Sequence, residues 1–322
     1  MKRLMIFGGF VSMFLISGCA LNSQGAEDDG SIKLILNWFP KSQMGGYYAA
    51  DTEGYYEENG LEVDIQPGGP EVSAIQQVVA GDGDFGLAHA DQLLLARNEG
   101  MELVAIAATM QNSPQVLMTH EGHGLENFED LNGRTAYIES VIPYWEYLTN
   151  HYQLDEVNEV SYSGQYVNFV TEMEAVSQAY ETSEPYWMEK EGINTETLLL
   201  SESGYNPYNV VMFTTKEYLE KNEEVVANFV DAFTEGWTYY RNNYQDVNEV
   251  IMEANGEIAL DDLEFEAETQ EPFIFGGDAE TYGFGYMDES RWETLIEQLY
   301  SLELIDEPVQ SSEVFTNEFL PE

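Results

Sequence analysis

The chain has almost no cysteine and very little positive charge. One cysteine in 322 residues, Cys19, excludes internal disulfides, a zinc–thiolate site and a thiol–thiol redox pair. Eleven Lys and Arg face 60 Asp and Glu, a formal net charge of −49. So few cations cannot be gathered into a basic patch, which excludes nucleic acid as a partner. The acids are spread along the chain rather than collected in a tail. With 43% apolar residues beside them, they read as the hydrated surface of a folded protein and not as disorder. There is no low-complexity run and no internal repeat.

What is present starts with a leader. Lys2-Arg3 is followed by an apolar run from Leu4 to Ile16. That run is too short to span a bilayer as a free helix and has the length of a secretory signal. It ends in Ile16-Ser17-Gly18-Cys19, which resembles a bacterial lipobox with Cys19 as the lipid-carrying first residue. Residues 1–18 are therefore expected to be a lipoprotein signal peptide and 19–30 a flexible tether. The mature protein is expected outside the cytoplasm, anchored to the cell membrane by lipid on Cys19.

Strand-like and helix-like segments then alternate, which predicts an α/β protein with mainly parallel sheet. Predicted strands include 61–65, 84–88, 103–108, 114–119, 134–138, 157–162, 198–200 and 209–214. Helices are predicted over 72–79, from Asp91 as N-cap, over 167–180, and from a capping box at Ser290/Glu293. Val226, Phe229, Val230, Phe233 and Trp237 form a long apolar stripe, and Trp292, Leu295, Ile296, Leu299 and Leu302 another. Two crossings divide the chain into lobe 1 (31–119 and 212–322) and lobe 2 (120–211), a hinged clamp with an interlobe ligand cleft.

The chain is organised around residues 31–50, SIKLILNWFPKSQMGGYYAA. A short apolar strand stops at Pro40, and Gly45-Gly46 is read as a tight turn before the next helix. Ligands in open α/β sheets sit beyond the carboxyl ends of strands, where Asn37 and Trp38 stand. Trp offers a flat apolar face, and Asn offers a donor and an acceptor. Trp38 as an ordinary core aromatic is the competing reading. Three further stretches join an aromatic or amide to a turn at the clamp's lips: Ala90-Asp91-Gln92, Ser183-Glu184-Pro185-Tyr186 and Gly204-Tyr205-Asn206-Pro207-Tyr208. The candidate ligand-binding residues are Asn37, Trp38, Tyr47, Gln92, Glu184, Tyr186, Asn206 and Tyr208. Asn206 and Tyr208 read equally well as hinge residues, and Asp91 reads better as a helix cap. A Glu184 carboxylate can take a ring N–H and an amino group together, a two-point match.

Other motifs are weak. His120 and His123 have i, i+3 spacing, but the glycines beside them argue loop and no third ligand is spaced to help. Gly81-Asp82-Gly83-Asp84-Phe85-Gly86 precedes a strand, the wrong order for a dinucleotide loop. No Gly-x-Ser-x-Gly elbow occurs. No cofactor is expected.

The stretch GYYEENGLEVDIQPGGPEVSAIQQVVAGDGDFGLAHADQLLLAR resembles the thiamine-pyrimidine-precursor branch of bacterial ABC-transporter substrate-binding proteins, related to the nitrate, sulfonate and taurine binders. The resemblance runs from about Ile32 to Leu304. It implies a type II periplasmic-binding-protein fold, no enzymatic activity, and capture of a small molecule for delivery to a membrane permease by a monomer. In the pyrimidine-binding relatives a strand-end Trp stacks on the ring, and Trp38 matches that position. Lys41-Ser42-Gln43-Met44 departs from the Asn and His that often continue this loop. Related pyrimidine synthases carry a cysteine cluster, which this chain lacks. A flavin, a cationic ligand, nitrate or a sulfonate remain alternatives for the ligand, as does a sensor lobe signalling to a membrane partner for the function.

Overall fold

A computed structural model of the chain describes residues 30–69, 71–139 and 142–321. The leader, Cys19 and all but the last residue of the tether lie outside the described residues. Among the described residues no helix is long and apolar enough to cross a membrane.

From Ser31 onward the chain builds two five-stranded sheets. In chain order the elements are β1 (Ile32–Ile35), α1 (Gly45–Thr52), α2 (Tyr55–Glu58), β2 (Val63–Gln66), α3 (Ala74–Ala80), β3 (Phe85–Ala88), α4 (Ala90–Asn98) and β4 (Leu103–Ala108). The second sheet's strands follow: β5 (Gln115–His120), β6 (Thr135–Ile138), then α5 (Pro143–His151), β7 (Asn158–Ser161), α6 (Val167–Thr171), β8 (Val176–Tyr180), α7 (Glu184–Lys190) and β9 (Thr195–Leu199). The chain returns through β10 (Val211–Thr215) and ends in helices: α8 (Lys216–Lys221), α9 (Glu223–Ala254), α10 (Leu260–Thr269), α11 (Glu271–Phe275), α12 (Ala279–Tyr282) and α13 (Glu289–Ser301).

The first sheet has strand order β2-β1-β3-β10-β4, the second β7-β6-β8-β5-β9. Both are mixed rather than mainly parallel. β10 runs antiparallel to β3 and β4, and β5 antiparallel to β8 and β9, because each strand that follows a crossing enters its new sheet from the cleft side. The crossings run through 109–114 and 200–210.

Several local expectations are corrected. Residues 167–180 do not form one helix. The single-turn α6 stops after Thr171, and Val176-Ser177-Gln178-Ala179-Tyr180 pairs as strand β8 between β6 and β5. The last helix is capped by the Asp288 side chain, which accepts from the Ser290 amide, rather than by Ser290. On α3 Val78 faces the core while Val79 is exposed. Gly45-Gly46 is no turn but the first turn of α1, and its purpose is close approach. A Cβ on Gly46 would sit 2.2 Å from the Trp237 ring, one on Gly45 2.2 Å from the Tyr240 ring, and one on Gly236 2.1 Å from the Gly46 carbonyl. α1 and α9 therefore touch backbone to backbone. Gly46→Ala is expected to cost about 1–3 kcal/mol through overpacking, read as a lower urea midpoint.

The two stripes are buried as drawn from sequence except at Leu302, which lies just past the end of α13 and is half-buried. Val226, Phe229, Val230, Phe233 and Trp237 are buried on α9 against the first sheet, with Phe229 stacked on Phe85 at 4.2 Å. Trp292, Leu295, Ile296 and Leu299 are buried on α13.

One arginine ties the two crossings together. Arg291 on α13 donates from Nε to the Asn206 carbonyl at 2.7 Å, from Nη1 to the Gln111 carbonyl, and from Nη2 to Asn206 Oδ1 at 3.0 Å and the Pro207 carbonyl at 3.1 Å. Its guanidinium lies 4.0 Å from the centre of the Tyr208 ring. Asn206 Nδ2 in turn donates to Asn112 Oδ1 across the crossings at 3.0 Å.

Candidate functional site

Strand ends of the two sheets meet where the Tyr180 hydroxyl, at the end of β8, stands 3.5 Å from His89 Nε2, just beyond β3. On the first sheet β1 leads into Asn37-Trp38. This loop is held from two sides. The Gly68 amide donates to the Trp38 carbonyl at 3.0 Å, and Asn255 Nδ2 to the Pro40 carbonyl at 2.9 Å. A Cβ at Gly68 would meet the Leu36 carbonyl at 2.2 Å, so only glycine lets β2's turn support the loop. Trp38 is 40% exposed and meets Phe39 edge-on at 5.6 Å. Such exposure is unusual for so large an apolar group, and the core reading of Trp38 is not what the fold contains. Asn37 Oδ1 is buried with no hydrogen-bond partner.

β3 leads into His89, which N-caps α4. The cap position belongs to His89 and not to Asp91, because the extended His89 already accepts the first helical bond, from the Leu93 amide at 3.2 Å. Asp91, in the first turn, instead accepts from the Tyr205 hydroxyl at 2.8 Å. Ile35 pairs with Gly86, so the register carried forward brings Asn37 level with Ala88, next to His89. Just before β10, Asn209 joins them: its Nδ2 is 3.5 Å from His89 Nδ1, 3.2 Å from Ser113 Oγ and 3.4 Å from the Tyr180 hydroxyl. Asn209 Oδ1 is buried and unpartnered. Tyr180, at the end of β8, thus reaches across from the second sheet, and its hydroxyl is 3.5 Å from His89 Nε2.

The second sheet contributes tyrosines and acids. Glu139 follows β6, Tyr162 follows β7, and Glu181 and Glu184 follow β8. Gln178 Oε1 accepts from the Glu139 amide at 2.6 Å and the Tyr144 hydroxyl at 3.1 Å. Glu184 Oε2 accepts from the Tyr180 amide at 2.7 Å and the Ser183 hydroxyl at 2.7 Å, which fixes its carboxylate at the start of α7. Burial first, and the nearby Glu184 charge second, push the Tyr166 hydroxyl far above its ordinary range. Tyr162 is raised to about 12, by burial first and by Glu184 and Glu139 among the lesser causes. These rings are neutral hydrogen-bonding surfaces at any ordinary pH.

Burial pushes the His89 ring below its ordinary value, against the pull of Asp91 and Glu139. Since the unfolded chain takes up that proton more readily, this group lowers stability as pH falls below the unfolded value, and has no such effect above it. Unfolding in urea between about pH 7 and about pH 5.5 is expected to lose stability less steeply in His89→Gln than in the parent.

The eight residues singled out from sequence divide. Asn37 and Trp38 stand just beyond β1, and Glu184 opens α7 four residues beyond β8. Tyr47 is fully buried in the α1–α9 core, its ring against Phe233 and Trp237 and its hydroxyl 2.8 Å from Thr109 Oγ1. Gln92 completes the cap of α4 by accepting from the His89 amide at 3.0 Å. Asn206 and Tyr208 belong to the hinge: Asn206 is held by Arg291 and Asn112, and the Tyr208 hydroxyl accepts from the Asp288 amide at 2.7 Å. Tyr186 is stacked on Phe265 of α10 at 4.2 Å, so its ring face is already covered. His89 obeys the same strand-end rule as Asn37 and was open to the same reasoning. Asn209 was hidden because it precedes an antiparallel strand, where the rule looks at the wrong end.

His120 is a core residue, stacked on Phe169 at 4.5 Å with Nε2 2.9 Å from the Phe169 carbonyl. Among the described residues no group of three or more His, Cys, Asp or Glu converges on a metal position. Two cavities lie away from the cleft: one of about 250 Å³ between α9 and α10–α11, lined by Trp237, Tyr240, Tyr244 and Phe275, and one of about 160 Å³ beside the hinge.

Similarity to known proteins matches this architecture. The riboflavin-binding protein RibY of Chloroflexus aurantiacus is 25% identical over 305 residues, 90% of this chain and 86% of that protein. A formylaminopyrimidine-binding protein of Halalkalibacterium halodurans is 23% identical over 331 residues, 98% of this chain and 99% of that one. The crystal structure of the periplasmic aliphatic sulphonate binding protein SsuA from Escherichia coli aligns with a TM-score of 0.70 at 12% identity, covering 91% of this chain and 94% of that chain. The fold is that of the periplasmic binding proteins. The family described as NMT1/THI5 like matches residues 41–246, more than half of the chain, and the chain belongs to that family.

Proposed function

We propose that this protein is the solute-binding component of an ABC importer and that its ligand is a planar, N–H-rich heterocycle of the aminopyrimidine class, a thiamine pyrimidine precursor. One observation carries the choice of ligand. The buried, unpartnered side-chain atoms at the cleft ends of the strands, Asn37 Oδ1, Asn209 Oδ1 and Glu181 Oε2, are all acceptors. Glu184 and Glu139 add negative charge nearby. Buried acceptors need donors, and an unmet one costs about 1–3 kcal/mol. An aminopyrimidine brings ring and amino N–H groups to them and a flat face to Trp38, whereas nitrate or a sulfonate brings only further acceptors and negative charge. The formylaminopyrimidine-binding relative supports this reading.

Riboflavin is the second reading, favoured by RibY. Its ring offers a single N–H between two carbonyl acceptors, so the other orphaned acceptors would have to be met by its ribityl hydroxyls rather than by the flat heterocycle. Titration calorimetry with a formylaminopyrimidine, riboflavin, nitrate and an alkanesulfonate separates them: heat from the first is expected, and heat from an oxyanion alone would overturn the choice. In the same reading the lobes divide at the crossings 109–114 and 200–210, so that β5 belongs to the second lobe and not, as the bound at residue 119 had it, to the first; the protein works as a monomer that hands its cargo to a permease, and Cys19 carries the lipid that holds it on the outer face of the membrane. Cys19→Ala is expected to move the protein from the membrane fraction to the soluble fraction; continued membrane retention would count against the anchor.

A further inference from the structure

Closing this clamp has an electrostatic obstacle. Residues 115–199, which form the second sheet and its helices, contain sixteen acidic and two basic residues, and the first lobe is acidic as well. Bringing two negative bodies together costs free energy at every separation within a screening length, about 10 Å at 0.1 M salt. The two cations of the second lobe are Arg134 and Lys190. Arg134 is committed within its own lobe, to the carbonyls of His123, Gly124 and Asp130. Lys190 crosses to the other lobe. From the end of α7 its Nζ is 2.9 Å from Asp261 Oδ2 and 2.7 Å from Asp262 Oδ1, both in the first turn of α10.

The rest of that face continues the contact. One turn back on α7, Tyr186 lies flat on Phe265, one turn on along α10, with centroids 4.2 Å apart and planes 7° apart. Lys190 Nζ also stands 5.3 Å from the Tyr186 ring centre. Beside them Lys41 of the first lobe pairs with Glu266 at 3.2 Å and stands 5.5 Å from the Trp187 ring. Positions one turn apart on one helix thus meet positions one turn apart on the other. Lys190, Tyr186, Phe265, Asp261 and Asp262 stand away from the strand ends where the ligand is placed, whereas Lys41, which follows the Trp38 loop and feels the Glu184 charge, adjoins that site and is left out of the proposal.

We propose that the α7–α10 seam, with Lys190 and Tyr186 as its central residues, sets ligand affinity from outside the ligand site by holding the closed clamp. This rests on the reading that the lobes shut over a ligand. The ion pair offsets lobe–lobe repulsion at the one point, among the described residues, where a second-lobe cation faces first-lobe acids, and the stacked rings fix the angle of closure. The apparent affinity of a clamp scales with its closed population, so a seam residue changes retention without touching the ligand.

The test has two arms on the full mature chain. In the first, hydrogen exchange of the ligand-free protein is followed in α7 and α10. Lys190→Glu, which sets a third acid against Asp261 and Asp262, is expected to speed exchange there several-fold and to leave the α9 core unchanged. In the second arm the dissociation rate of a formylaminopyrimidine, or of riboflavin, rises about tenfold in Lys190→Glu and about threefold in Lys190→Met, with association little altered. Combining Lys190→Glu with Asp261→Lys and Asp262→Lys restores both readouts. Tyr186→Ala is expected to speed α10 exchange in the ligand-free protein as well. Unchanged exchange in Lys190→Glu, or failure of the reversed pair to restore it in a folded protein, overturns the proposal. So does a Tyr186→Ala effect confined to the ligand arm, which would make Tyr186 a ligand contact. If neither ligand binds, the proposed ligand class fails while the exchange arm still decides the seam.

Discussion

Trp38→Ala should weaken binding of an aminopyrimidine about thirtyfold or more, the loss of about 2 kcal/mol seen when a central aromatic anchor is truncated. The indole is on a loop that does not depend on it for shape. The loop is fixed by the Gly68 amide on the Trp38 carbonyl and by Asn255 on the Pro40 carbonyl. Because Trp38 is 40% exposed, its removal leaves no core cavity. The variant should therefore unfold at nearly the parent's urea midpoint while losing ligand, and Trp38→Phe should recover part of the affinity, since a smaller ring still stacks. Calorimetry with the two variants measures this. Parent-like affinity in Trp38→Ala would remove the stacking role.

Arg291→Met should be the most damaging single change to the fold, at about 3 kcal/mol or more. Methionine keeps much of the apolar stem but strands the carbonyls of Gln111, Asn206 and Pro207, and each buried acceptor left unmet costs about 1–3 kcal/mol. It also removes the guanidinium from the face of Tyr208. Arg291→Lys should rescue little, because one ammonium cannot serve carbonyls on two separate crossings as a planar fork does. Urea unfolding followed by tryptophan fluorescence reads the loss. A second expected sign is a broader transition, since the two sheets no longer share one rigid hinge and unfolding is less concerted.

The sequence carried the layers of this fold because they follow from local periodicity. The α9 stripe from Val226 to Trp237 and the α13 stripe from Trp292 to Leu299 are buried where the spacing put them. The strand-end position of Asn37-Trp38 also followed from a short apolar run stopped by a proline. What was not legible depends on distant partners. Val176–Tyr180 is a strand because β5 and β6 flank it, and the five residues alone do not separate strand from helix. Gly45-Gly46 looked like a turn because glycine permits one. The reason for glycine there is the Trp237 ring, nearly two hundred residues away. Tyr186 has the composition of a ligand contact, but α10 covers its face. Tyr47 follows the glycine pair that also faces α9, and it turns with it into the core.

The crystal structure of the protein grown with a formylaminopyrimidine is the direct measurement. The ring should lie parallel to the Trp38 indole, about 3.5–4 Å from it, with its N–H groups on Asn37, Asn209 or Glu181. A ligand found instead in the cavity between α9 and α10–α11, or in the cleft with its ring away from Trp38 and its N–H groups turned away from those carboxyl and amide oxygens, would contradict the proposed recognition.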